Sequence, residues 1–212
     1  KQVALSYRTV RVADFPMGID YDKFSSATKG RSVSAEYQKL LWKYRGRKVI
    51  LAIDRLDPTK GLAERLKAYQ TLLKENPALH SKVTFVMLAM PSRTEIPAYI
   101  RLKAQVEKLV KTINKTYGNA HWEPVEYMFQ TLPFAEFSAL YRRADVAFIA
   151  PIRDGMNLVA KEYLASKPQQ DGILVLSETA GAAQELKDAI MVNPRKPRTL
   201  VQGLTDALTM PP

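Results

Sequence analysis

Asp154, Gly155, Asn157 and Glu162 fall within one run, Arg153-Asp154-Gly155-Met156-Asn157-Leu158-Val159-Ala160-Lys161-Glu162. An acid, a glycine and an amide at the mouth of a helix can hold an anion and the hydroxyls beside it. The run follows Val146-Ala147-Phe148-Ile149-Ala150, which reads as a buried parallel strand. It leads into a helix over Asn157 to Ser166. A strand-to-helix turn aims unpaired backbone N–H groups outward, together with the positive end of the helix dipole. That suits a phosphate or diphosphate. Glu162, five residues after Asn157, lies over a turn into the helix and could reach hydroxyls next to that phosphate. The competing reading is a capped helix start, with Glu162 on a solvated face.

Three other loops carry residues of related chemistry. Asp54-Arg55-Leu56-Asp57-Pro58-Thr59-Lys60-Gly61 places two cations, Arg55 and Lys60, around a turn. Together they could neutralise a diphosphate, or they could be surface cations balanced by Asp54 and Asp57. Pro91-Ser92-Arg93 offers an arginine that could fork onto a phosphate, or that merely flanks a helix. Ser177 to Glu185 is rich in small residues, which permit close approach of a ligand or of backbone.

These loops need a scaffold, and the hydrophobic pattern supplies one. Strands are expected at Val49–Ile53, Val83–Met90, Val125–Phe129, Val146–Ala150, Ile173–Leu176 and Ile190–Val192. Helices are expected at Gly61–Glu75, Glu95–Tyr117, Phe134–Arg143, Asn157–Ser166, Ala182–Leu186 and Thr199–Leu208. Such alternation implies an α/β fold, a Rossmann-like parallel sheet with helices on both faces. Ligands of open sheets bind at the C-terminal ends of the strands. All four loops lie on that edge, and their alignment argues more strongly than any one of them. Ahead of this core, Val3–Phe15 reads as one or two strands, Ser25–Ser34 as a polar loop and Glu36–Tyr44 as a short helix. Residues 1–47 are therefore expected to be a strand and linker segment, and residues 48–212 the main domain.

Composition narrows the function. The chain has 212 residues, a formal net charge of +11 and no cysteine, so disulfides and thiolate metal sites are excluded. Its two histidines, His80 and His121, are far apart, which argues against a histidine-rich metal site. No metal and no cofactor is expected. Neither a signal peptide nor an apolar run of roughly 18 residues is visible, so a membrane span is not expected. The chain begins at Lys1 without Met and reads as a fragment. Its positive charge calls for an anionic partner. That partner could be nucleic acid, a membrane surface or a phosphorylated metabolite, and nucleic acid is discounted because the Lys and Arg residues are scattered and no nucleic-acid module is present.

Taken in order, Pro16-Met17-Gly18-Ile19-Asp20, Asp54-Arg55-Leu56-Asp57 with Lys60-Gly61, Pro91-Ser92-Arg93, Arg153 to Tyr163 and Ser177 to Ala183 closely resemble the trehalose-6-phosphate synthase family of retaining GT-B glycosyltransferases. The resemblance runs from about Arg8 to Met210. It implies two facing Rossmann-like domains, of which this chain is the C-terminal, donor-binding one. The N-terminal domain would supply a glycine-rich donor loop, further groups at the reacting sugar and most of the acceptor site. One departure is Pro58, where the family usually has tyrosine. Proline fixes its own φ and restricts Asp57 to extended conformations, so a stiffer loop is expected.

The resemblance implies transfer of glucose from UDP-glucose to glucose 6-phosphate, with retention, giving trehalose 6-phosphate and UDP. Arg55 and Lys60 would stabilise the departing diphosphate, with the N–H groups of Asn157, Leu158 and Val159. Asp154, with the backbone of Gly155 and Met156, would hold the donor glucose. Glu162 would take the ribose hydroxyls, the Phe129–Leu132 loop the uracil, and Arg93 the acceptor phosphate. The chain alone is expected to be inactive. The alternatives are a sister enzyme such as glucosylglycerol-phosphate synthase, or a non-catalytic sugar-nucleotide sensor of the same family. A cytoplasmic location is expected, and a homo-oligomeric full-length protein is allowed.

Overall fold

The apolar runs that alternate with amphipathic stretches become the strands of one parallel sheet. A computed structural model describes residues 1–13, 15–167, 169 and 171–210. The expected domain end at Pro212 and part of the Val3–Phe15 strand region, Asp14, lie outside the described residues. The chain opens with strands β1 (Gln2–Leu5) and β2 (Arg8–Arg11), then helices α1 (Tyr21–Ala27) and α2 (Arg31–Lys43). There follow β3 (Lys48–Arg55), α3 (Leu62–Glu75), β4 (Val83–Met90), α4 (Pro97–Tyr117), β5 (Val125–Met128) and α5 (Phe134–Arg143). The chain closes with β6 (Val146–Ile149), α6 (Leu158–Ala165), β7 (Ile173–Ser177), β8 (Ile190–Val192) and α7 (Pro197–Thr209).

β1 and β2 pair as an antiparallel hairpin, separate from the main sheet. The six remaining strands form a parallel sheet in the order β5-β4-β3-β6-β7-β8. The order grows one way from β3 and the other way from β6. The crevice outside the C-terminal ends of β3 and β6 is therefore the switch point, where open α/β sheets bind ligands.

Each face of the sheet is covered by its own core. One contains Leu62, Leu66, Leu72, Phe85, Val106, Phe148 and Leu204, contributed by α3, α4, α7 and the strands. The other contains Phe24, Val49, Leu51, Tyr141, Tyr163 and Leu176, contributed by α1, α5, α6 and the strands. Fully burying one such side chain stabilises the fold by about 1.5–3 kcal/mol, while α2 packs on α5, and α1 on α5 and α6. No helix among the described residues is long and apolar enough to cross a membrane.

The Ser25–Ser34 stretch, expected as a loop, is helical at both ends. Asp20 caps α1 by accepting from the Lys23 N–H at 3.0 Å. Phe24 holds the helix down through edge-on contacts with Phe134 and Tyr141, with ring centroids 5.7 and 6.3 Å away. This single buried aromatic outweighs the polar composition of the segment. The helix expected at Ala182–Leu186 is instead a 3-10 turn at Gly181–Gln184. There the chain is held by bonds to the neighbouring 154–156 loop, which preclude a longer helix.

Candidate functional site

The loop after β3 and the loop after β6 meet across the switch point. Lys60 Nζ forms an ion pair with Asp154 Oδ2. Both side chains are only 15 % exposed. The backbone fixes the same approach, because the Thr59 carbonyl accepts from the N–H groups of Ile152 and Arg153 at 2.8 and 3.2 Å. Gly61 makes the approach feasible. Its φ is +66°, and a Cβ there would stand 2.7 Å from the Ala150 carbonyl oxygen.

A buried clamp lies under Lys60. Arg65, fully buried on α3, donates to Asp54 Oδ2 at 2.6 Å, to the Phe148 carbonyl at 2.9 Å and to the Lys60 carbonyl at 3.1 Å. Burial pushes the Asp54 carboxyl above its ordinary value, while the Arg65 and Lys60 charges oppose that shift. Asp54 thus bonds Arg65, while the direct ion pair of Lys60 is with Asp154. Pro58 begins a 3-10 turn over Pro58–Lys60, and Asp57 before it is extended, with φ −143° and ψ 136°. Lys60 ends that turn and pairs with Asp154.

Asn157 shapes the start of α6. It adopts φ +68°, its side-chain oxygen caps the Ala160 N–H at 3.1 Å, and its amide donates to Asp154 Oδ2 at 3.1 Å. The N–H groups of Leu158 and Val159 belong to the first turn, ahead of any intrahelical partner. Asp154 Oδ1 also accepts from the Met156 N–H at 3.4 Å. The small-residue loop after β7 supports this turn from behind. Gly181 N–H donates to the Asp154 carbonyl at 2.9 Å and Ala182 N–H to the Met156 carbonyl at 2.7 Å. A Cβ on Gly181 would lie 2.0 Å from the Gly155 oxygen, whereas one on Gly155 would meet nothing within 4 Å.

The other candidates sit around this centre. Glu162 lies further along α6 and accepts from the Tyr141 hydroxyl at 2.8 Å. Arg55 is exposed at the end of β3, and its charge favours the ionised form of Asp57. Burial alone would raise the Asp57 carboxyl. Bonds from Thr59 and Tyr99, with the Arg55 charge, outweigh burial and hold it below the ordinary carboxylate value. Arg93, at φ +46°, reaches the Tyr99 hydroxyl at 3.3 Å. The structure therefore brings Lys60, Asp154 and Asn157 into direct contact, and links Arg93 to the β3 loop through Tyr99. Glu162 makes no direct bond to that group among the described residues. No cluster of three or more His, Cys, Asp or Glu among the described residues could hold a metal ion.

Three supporting residues were missed by sequence reasoning. Arg65 occupies an apolar position of α3, between Leu62 and Leu66, and a charge at that spacing was the available signal. Tyr99 and Tyr141 lie within expected helices, and a helix position does not reveal where a hydroxyl points.

The site can bind an anion flanked by hydroxyls. Lys60, Arg55 and the α6 terminus supply positive potential, while Asp154 and Glu162 supply acceptors.

Comparison with known proteins places this geometry among relatives. A family model described as Glycosyltransferase family 20 matches residues 1–212. The chain is 42 % identical over 208 residues to the bifunctional trehalose-6-phosphate synthase/phosphatase of Thermoproteus tenax, covering 98 % of this chain and 28 % of that protein. It superposes with a TM-score of 0.93 and 37 % identity on an α,α-trehalose-phosphate synthase (UDP-forming) from Burkholderia xenovorans in complex with glucose-6-phosphate, covering 99 % of this chain and 46 % of that one. A solved structure of trehalose-6-phosphate from E. coli bound with UDP-2-fluoro glucose gives a TM-score of 0.91 at 34 % identity, covering 100 % of this chain and 48 % of that one. The chain thus spans less than half the length of these relatives.

Proposed function

This chain belongs to glycosyltransferase family 20 and has the Rossmann-like fold of one half of a GT-B enzyme, and we propose that it is the donor-binding half of a retaining, UDP-forming trehalose-6-phosphate synthase. The full-length enzyme transfers glucose from UDP-glucose to glucose 6-phosphate. Residues 1–47 carry the chain in from the other half, and α1 and α2 pack back onto the donor domain. The enzyme works in the cytoplasm.

The observation that carries the reading is the meeting of Lys60 and Asp154 at the switch point, beside the capped start of α6. The demanding step is departure of a diphosphate from the anomeric carbon. Negative charge grows on the leaving UDP, and preorganised positive groups stabilise it in a water-poor site. Lys60 and Arg55 supply that charge, with the N–H groups of Leu158 and Val159 at the helix terminus. A bound diphosphate takes over Lys60 and frees Asp154 for the glucose hydroxyls, alongside the backbone of Gly155 and Met156. Glu162, oriented by Tyr141, accepts from the ribose hydroxyls. The Phe129–Leu132 loop lies against the uracil. Arg93 meets the phosphate of the acceptor. The glucose 6-phosphate and UDP-2-fluoro glucose named for the two solved relatives support this pair of substrates.

The test is transfer by the full-length protein from UDP-glucose to glucose 6-phosphate or to glycerol 3-phosphate, with the 212-residue chain assayed beside it. The reading expects trehalose 6-phosphate from the full-length protein and no measurable transfer by the chain alone. Transfer only to glycerol 3-phosphate would replace the acceptor, and transfer to neither would remove the enzyme assignment.

A further inference from the structure

One hydroxyl joins Arg93 to the loop that carries Lys60. Arg93 Nη1 donates to Tyr99 Oη at 3.3 Å, and the guanidinium lies 5.9 Å from the Tyr99 ring centroid. Tyr99 Oη donates its own proton to Asp57 Oδ2 at 2.9 Å. The other oxygen of Asp57 accepts from the Thr59 N–H at 2.8 Å and from the Thr59 hydroxyl at 2.6 Å. The Thr59 carbonyl in turn holds the N–H groups of Ile152 and Arg153, next to Asp154. An unbroken series of contacts therefore runs from the loop after β4, through the loop after β3, to the turn after β6.

Two features suggest more than packing. Arg93, exposed on its loop, adopts φ +46°, a left-handed conformation that costs a non-glycine residue free energy. Tyr99 is only 8 % exposed, and its hydroxyl bonds both Arg93 and Asp57. A rigid ring presenting one polar atom to two charged groups can transmit the position of one to the other.

We propose that Tyr99 is a positioning residue that couples the sugar-phosphate cation Arg93 to the donor diphosphate loop, so that acceptor and donor phosphates bind cooperatively. The inference rests on the reading of Arg93 and Lys60 given above. An acceptor phosphate drawn to the free N–H groups of Arg93 fixes the guanidinium on Tyr99 Oη. That fixes the proton of Tyr99 on Asp57, and Asp57 holds Thr59 and the turn that aims Lys60. Such coupling must be reciprocal: a diphosphate on Lys60 favours acceptor binding by the same factor.

The experiment titrates the full-length enzyme with glucose 6-phosphate, with and without saturating UDP, for wild type, Tyr99→Phe and Arg93→Ala. Tyr99→Phe removes one oxygen and keeps the ring that packs in the core. In wild type, UDP should tighten glucose 6-phosphate binding about 5-fold or more, and Tyr99→Phe should bring that factor below about 2 while UDP affinity without acceptor changes less than about 2-fold. In turnover, KM for glucose 6-phosphate should rise more than kcat falls. A purely structural role would weaken UDP binding as well and leave the coupling factor intact. If Tyr99→Phe keeps wild-type coupling and KM while Arg93→Ala weakens acceptor binding, the relay is overturned and the role of Arg93 stands. If Arg93→Ala leaves acceptor binding unchanged, the acceptor assignment falls and the relay with it. Absence of coupling in wild type also overturns the proposal.

Discussion

Lys60 and Asp154 form an ion pair across the sheet's switch point, although they lie 94 residues apart in the chain. One comes from the loop after β3 and the other from the loop after β6, and only the reversal of strand order makes those loops neighbours. The pair is largely shielded yet opens on the cleft, so each partner can be taken over by a ligand group of opposite kind.

Lys60→Ala should therefore damage binding more than folding. The loss of UDP affinity is expected to be at least about tenfold, or about 1.4 kcal/mol. The stability change should be smaller than that of the buried Arg65 variant below, since Asp154 keeps its bonds from the Asn157 amide and the Met156 N–H. Calorimetry with UDP and urea unfolding of the same variant separate the two effects.

Arg65→Met should do the reverse. It leaves the Asp54 carboxylate buried without its partner, and removing one member of a buried pair costs about 3–5 kcal/mol. Combining Asp54→Leu with Arg65→Met should recover most of that loss in urea unfolding, because no buried charge is then orphaned. UDP binding should stay weakened in the double variant, as the Lys60 carbonyl has lost its anchor.

Gly155 and Gly181 offer a paired test on one turn. Gly181→Ala places a methyl 2.0 Å from the Gly155 oxygen, so the turn must shift, at a cost of about 1–3 kcal/mol. Gly155→Ala meets open space and should fold with nearly unchanged stability. If the donor sugar lies against Gly155, that variant should nevertheless lose affinity for UDP-glucose while keeping its affinity for UDP.

The strand framework was largely legible in the sequence, because strands buried on both faces must be runs of Val, Ile and Leu. Helix α1 was not, since it rests on one capping carboxylate and the burial of Phe24 against α5, a tertiary contact with no local pattern. The phosphate-binding residues were visible as types on loops, but their partners were not. Asp57 looked like a counter-charge for neighbouring cations and instead holds Thr59 and Tyr99. Arg65 was passed over although a charge at an apolar spacing was there to be read, and nothing local shows where the hydroxyls of Tyr99 and Tyr141 point.

Alkaline unfolding should follow the buried tyrosines. Burial, with the charge of Glu107, pushes Tyr127 up to about 12. Burial likewise raises Tyr44, Tyr69, Tyr141 and Tyr163. In the unfolded chain these phenols ionise near about pH 10. Their folded values are higher, so their contribution to stability is intact below about pH 10 and is lost as pH rises through the folded values. Ultraviolet titration should show these phenols ionising together with the loss of circular dichroism, not ahead of it.

The most direct test of the central claim is calorimetric titration of the 212-residue chain with UDP, with GDP and ADP as comparisons, and of its Arg55→Ala and Glu162→Ala variants. The account predicts saturable binding of UDP, weakened about tenfold or more by each substitution, with the fold unchanged by circular dichroism. UDP binding that both variants retain at wild-type strength would contradict it, because the donor site would then lie away from the edge where β3 and β6 end.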